Sequence, residues 1–156
     1  MKKAAMRAIL ALFVLGYLFV FFQKWIYSAG VYQMTHWEYL TARTNLIPLT
    51  TIVFYIKSLI GQTINSDICV RFFLLAIGAG VPLGLLLPAA FEKLHSLRMF
   101  LGTMIALLLV KEAAEVLLMI GSFDVDSLLL SLLGAAAGWF LWDLARRVQP
   151  VLRKAA

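Results

Sequence analysis

Residues Val110–Gly138 read VKEAAEVLLMIGSFDVDSLLLSLLGAAAG. Two apolar runs flank a short turn, yet the stretch holds four of the chain's eight acidic residues: Glu112, Glu115, Asp124 and Asp126. Lys111 sits beside them. Glu112 and Glu115 stand three apart, so on a helix they share one face. An ionised carboxylate turned towards lipid costs about 2.5–3.5 kcal/mol. The pair is therefore expected to face a bundle interior or a wet cavity. Lys111, about 100° round the helix from Glu112, is expected to point elsewhere. Asp126 is placed to cap a helix beginning at Ser127, and Asp124 to sit in the turn.

Composition decides the solvent. Hydrophobic residues make up 63% of the chain and charged residues 14%, against about 45–50% and 25% in soluble domains. That balance points to a membrane protein, a single domain over residues 1–156. The net charge of +6 does not suggest nucleic acid. The cations flank apolar runs, as they do when they set topology and meet anionic headgroups. Cys69 is the only cysteine, which excludes an intramolecular disulfide and reads as a small apolar filler.

Working outward from the quoted stretch, the expected fold is all-α: a polytopic membrane helix bundle with four transmembrane helices. The spans fall at about 6–24, 72–91, 99–120 and 127–144, since a bilayer core needs about 20 apolar residues. Arg7 and Lys24 can snorkel from the ends of the first. Bulky Phe21, Phe22 and Trp25 favour a retained anchor over a leader cleaved near Ser28 and Gly30. Pro82 is expected to kink the second span. Residues 49–60 are apolar but too short to cross, so they read as an interfacial or re-entrant helix in the first outer loop, with Thr50 or Thr51 as its cap. Trp25, Tyr27, Tyr32, Trp37 and Tyr39 suit the headgroup layer. Gly134 and Gly138 form a small-xxx-small pair, either a dimer face or, preferably, packing within one bundle.

Nine of the fourteen cations fall in segments assigned to one side: Lys2, Lys3, Arg7, Lys93, Arg98, Arg146, Arg147, Arg153 and Lys154. Both termini are thus expected to be cytoplasmic, and the carboxylates to lie towards the outer face. His36 and His95 are isolated loop histidines that read as solvated. No standard catalytic signature occurs. No metal-loop spacing is present, so neither a metal nor another cofactor is expected.

Four blocks, in order, resemble the VanZ-like family. NLIPLTTI (Asn45–Ile52) is similar to its Asn-Leu-Ile-Pro-Phe segment, VPLGLLLP (Val81–Pro88) to its second span, VKEAAE (Val110–Glu115) to its Ile-Glu-x-x-Gln stretch, and FDVDSLLLSLLGAAAG (Phe123–Gly138) to its Phe-Asp-Ile-Asp-Asp-x-x-x-Asn-x-x-Gly signature. Asn45, Pro48, Glu112, Asp124, Asp126 and Gly134 match. Glu115 stands where the family usually has Gln, Ser127 for Asp, Ser131 for Asn and Ala76 for Asn. Gly121 and Ser122 fill a region where Arg is common.

The resemblance implies an integral membrane protein of the cell envelope and, through the family's namesake, reduced susceptibility to teicoplanin-type glycopeptides. It adds Asn45 to the carboxylates. The expected site is then an outward-facing polar pocket of Asn45, Glu112, Glu115, Asp124 and Asp126, with a water or second polar group bridging Asp124 to Glu112. Its expected partners are the lipid bilayer and an envelope lipid or glycopeptide. The alternatives are a membrane-embedded enzyme acting on a lipid-linked cell-wall intermediate, with a glutamate as general base, and an accessory subunit docking through Gly134 and Gly138.

Overall fold

The computed structural model describes the backbone of residues 2–28 and 34–155 and the side chains of residues 4–20, 23 and 34–148. Gly30 and Tyr32 lie outside the described residues, and the side chains of Lys2, Lys3, Phe21, Phe22, Lys24, Trp25, Tyr27, Ser28, Arg153 and Lys154 lie outside the described side chains.

The described chain is all-α. Its helices are α1 (Lys2–Ser28), α2 (His36–Ala42), α3 (Thr50–Gly61), α4 (Ser66–Ala90), α5 (Leu97–Leu117) and α6 (Val125–Ala155), with a 3₁₀ turn at Glu92–His95. Two dipeptides, β1 (Thr44–Asn45) and β2 (Phe123–Asp124), pair in parallel. Two helices, α4 and the Val125–Val148 part of α6, are long and apolar enough to cross a membrane. In α1 the apolar stretch Ala4–Val20 is shorter. α5 rises about 32 Å, but it carries Lys111, Glu112 and Glu115 in its last two turns.

α4 and α6 form the central pair. Their glycines interlock: a Cβ on Gly134 would overlap the Ile77 carbonyl, one on Gly138 the Val81 carbonyl, one on Gly80 the Ser131 carbonyl and one on Gly84 the Ala135 carbonyl. Small residues allow such backbone approach, which matters in lipid because no hydrophobic force drives helices together there. Contacts advance together along both helices, so α4 and α6 run parallel. The Gly134/Gly138 face is thus covered by α4 of the same chain. Pro82 and Pro88 lie inside α4, which runs through both as one unbroken helix.

α1 packs on α4, and α5 on α6. Leu10, Leu87, Phe100, Met104, Leu108 and Ala135 fill the core between them, together with Trp139. Cys69 is fully buried. Large apolar side chains such as Leu15, Phe19, Leu74, Leu75, Val110, Leu133 and Leu141 point outward, a belt of the size that lipid or a partner must cover.

Several local readings are corrected. α5 stops at Leu117, three residues before the expected end. Met119 takes the left-handed conformation (φ 57°), Ile120 N–H donates to Glu115 O at 2.9 Å and Met119 N–H to Val116 O at 3.1 Å. This is a Schellman closure, with methionine where glycine is usual. Thr50 and Thr51 do not cap α3 with their side chains; its N-cap is Leu49, itself left-handed at φ 69°. Asp126 does not cap α6, because α6 already begins at Val125 and the Asp126 side chain turns to another segment. Tyr39 is buried within the protein, with its hydroxyl donating to Gly121 O at 2.7 Å. His95 is half-buried rather than solvated: its Nε2 lies 3.1 Å from Pro88 O and its ring 4.6 Å from Trp142.

Candidate functional site

The site is built where the first loop meets the α5–α6 turn. Phe123 N–H donates to Arg43 O at 2.9 Å. The parallel register then sets Thr44 beside Phe123 and Asn45 beside Asp124. α2 leads into this pairing with a capping box. The Thr35 hydroxyl accepts from Glu38 N–H at 3.3 Å, and the Glu38 carboxylate accepts from Thr35 N–H at 2.8 Å. The carboxylate also accepts from the Thr35 hydroxyl at 2.9 Å, and the two bonds it accepts, the Thr35 backbone N–H first and the hydroxyl second, hold the Glu38 carboxyl below the usual glutamate range.

Asn45 is the first connector. Its Nδ2 donates to Asp124 Oδ1 at 3.2 Å and to Thr51 Oγ1 at 3.0 Å, while its Oδ1 accepts from Ile47 N–H at 3.2 Å. One amide thereby fixes the 45–51 turn on itself and on the neighbouring turn.

Asp126 is the second connector. Fully buried, it accepts from Leu49 N–H at 2.6 Å, Thr51 N–H at 2.7 Å and Ile52 N–H at 3.1 Å. The first turn of a helix presents unpaired N–H groups and a partial positive charge. A left-handed residue followed by right-handed ones folds those donors into a concave nest for an anion. Here the anion is a carboxylate from a segment 75 residues away. The left-handed Leu49 is held there by the Asp126 bond, at a cost of about 1–2 kcal/mol for a residue with a Cβ.

Glu112 is the third. It is 1% exposed. Its Oε2 accepts from Asp124 N–H at 3.3 Å, and Asp124 Oδ1 accepts in turn from Asp126 N–H at 3.0 Å. No bridging group is needed, because the early end of α5 folds the turn back over Glu112. Lys111 does not point away. Its flexible stem brings Nζ to 2.7 Å from Glu112 Oε1 and 3.4 Å from Glu115 Oε2. A cation of this reach is what the buried glutamates require.

All five sequence-derived site residues thus lie in one region. Asn45, Glu112, Asp124 and Asp126 share a continuous hydrogen-bond path, and Glu115 joins through Lys111. Among the described residues no buried side-chain polar atom lacks a partner, and no group of acidic, His and Cys side chains is arranged to hold a metal. Sequence reasoning missed Lys111, Tyr39, Thr51 and the nest at Leu49. Thr35-x-x-Glu38 was a readable capping-box signal. Nothing local in the sequence marks Leu49 as left-handed.

The VanZ/LLP1 family model matches residues 8–146. The chain belongs to the VanZ-like family. This family and the two helices long and apolar enough to cross a membrane point to a membrane protein. No curated protein and no solved structure matches it. Within the VanZ-like chain four of the departures from the family pattern meet in two pairs. Ser131 Oγ donates to Ala76 O at 2.9 Å, so two substituted positions face each other across α4 and α6. Glu115 abuts Gly121, where a Cβ would come within 2.6 Å of Glu115 Oε2. The added negative charge at 115 lies beside Lys111 and beneath a residue with no side chain.

Proposed function

We propose that the chain is a four-span VanZ-like protein of the cell envelope, with α1, α4, α5 and α6 crossing the membrane and α3 re-entrant. Both termini lie in the cytoplasm and the polar cluster faces outward. Its action is to lower susceptibility to teicoplanin-type glycopeptides. The observation that carries this reading is the family match over residues 8–146. The meeting of the NLIPL, VKEAAE and FDVD blocks at one cluster supports a shared role for them.

The cluster is not an empty pocket. Its carboxylates are engaged, Asp126 by backbone donors and Glu112 by Lys111 and Asp124 N–H. A ligand would engage it at the Lys111–Glu115 edge, where Lys111 is 25% exposed. There an ammonium or other donor group of an envelope lipid or glycopeptide can compete for the glutamates.

Deletion of the gene, with susceptibility as readout, tests the reading. Loss of the chain should increase susceptibility to a teicoplanin-type glycopeptide, and the parent sequence should restore it. Unchanged susceptibility on deletion would overturn the resistance role. A reporter fused after Ala156 should read cytoplasmic; an external reading would overturn the topology.

A further inference from the structure

Four consecutive apolar residues follow Asn45. Leu46 is 67% exposed, Ile47 69% and Leu49 57%, and Pro48 is exposed too. Isolated exposed apolar residues are ordinary, but a contiguous patch calls for a covering phase. The patch continues along α3 through Val53, Phe54, Ile56 and Ile60.

The parallel register says which phase. β2 leads directly into α6, and α6 runs into the bundle from the site end. β1 is parallel to β2, so the chain travels through Thr44–Asn45 in the direction α6 takes. It then turns at 46–49. α3 leaves that turn beside Asp126, stacks Tyr55 on Phe72 at 4.2 Å and ends near the start of α4. The apolar tip therefore lies beside the first turn of α6, level with the Tyr55–Phe72 stack inside α4, and α3 leads from it towards the start of α4.

We propose that Leu46, Ile47, Pro48 and Leu49 form a wedge inserted among the lipid acyl chains at the site end of the bundle, with Asn45 and Asp126 as its rigid base. The backbone polar groups next to the tip are what lipid cannot satisfy. Ile47 N–H is taken by Asn45, and Leu49 N–H by Asp126. The buried polar cluster thereby presents an apolar tip to lipid. This inference rests on the membrane-spanning reading proposed above.

The test uses the full chain with Cys69→Ala, reconstituted in phosphatidylglycerol/phosphatidylethanolamine vesicles doped with lipid carrying a nitroxide on its acyl chain. Single cysteines at Ile47, Leu133 and Thr63 carry an environment-sensitive fluorophore. Leu133 reports the span and Thr63 the far end of α3. The expected result is blue-shifted emission and strong quenching at Ile47 and Leu133, and neither at Thr63. Quenching at Leu133 with none at Ile47 would overturn the wedge and leave the spanning reading standing. That includes the case where Ile47 is shielded from aqueous thiol reagents by protein instead. Absence of quenching at Leu133 would overturn the spanning reading and the wedge with it. Adding Asp126→Asn should shift the Ile47 emission towards that of water while Leu133 stays unchanged. Unaltered Ile47 emission would overturn the role of the base.

Discussion

The two ends of the bundle are both rich in polar contacts, and they are built from different parts. At the site end, carboxylates are buried and meet backbone N–H groups: three at Asp126, one at Glu112 and one at Asp124. At the opposite end, Trp139 Nε1 donates to Leu94 O at 3.0 Å, His95 rests on Trp142, and Asp143 pairs with Arg146 and Arg147. Those arginines are 50% and 73% exposed. Aromatic rings and solvated cations suit a membrane–water interface. A buried carboxylate linking two segments serves another purpose. It holds a loop in one position, and its removal leaves the donors it accepted without their acceptor.

The sharpest break in this contrast is Asp126→Ala. It leaves the N–H groups of Leu49, Thr51 and Ile52 without their acceptor. Each hydrogen bond to a charged group contributes about 1.5–3 kcal/mol, so a loss of at least about 3 kcal/mol is expected, read as an early unfolding midpoint in detergent. Lys111→Met comes next. It takes the ammonium away from Glu112 and Glu115 while Glu112 keeps the Asp124 N–H, and because Lys111 is partly exposed the expected loss is smaller, about 2 kcal/mol after discounting the buried-pair range. A melt identical to the parent's would show that the glutamates have another sufficient partner.

Gly134→Leu should cost about 1–3 kcal/mol, the usual penalty for overpacking, since Ile77 backbone occupies the space. Gly102→Leu should melt like the parent, because nothing lies within 4 Å of a Cβ there. Equal melting of the two glycine variants would contradict the α4–α6 contact. At the opposite end, Asp143→Asn should leave the midpoint nearly where it is, since the two arginines it pairs with are well exposed and pairs with such partners contribute little.

The smallest effect concerns pH. The Glu38 carboxyl is lowered in the folded chain by the Thr35 backbone and hydroxyl donors. Its contribution is complete above the ordinary glutamate range. It is lost as pH falls through the lowered folded value, because the proton then binds the unfolded chain more readily. Protection of the α2 amides, taken relative to intrinsic exchange at each pH, should fall on acidification, and Glu38→Gln should flatten that response.

The sequence made the helical class and the apolar segments legible, because length and composition of a span are local properties. It also brought Glu112, Asp124 and Asp126 into one list, since an apolar segment carries carboxylates only where something satisfies them, and the family resemblance added Asn45. The sequence did not show how they are satisfied. Asp126 read as a cap for its own helix, when a helix start 75 residues away offered better-aligned donors. Lys111 read as turned away, because helix angle was considered and side-chain reach was not. The early stop of α5 was hidden because Met119 carries no glycine-like signal for a left-handed turn.

The most direct test of the central claim, that the first loop is stapled to the α5–α6 turn, is a cross-link. Thr44 and Phe123 are register partners in β1 and β2. Adjacent strands lie about 4.8 Å apart, inside the Cα range of about 4.4–6.8 Å that a disulfide accepts. In a Cys69→Ala background, Thr44→Cys with Phe123→Cys should oxidise to a single intramolecular bond and melt no lower than the reduced form. Two thiols that stay free and fully reactive under the same oxidant would contradict the staple, and with it the placement of Asn45 and Asp126.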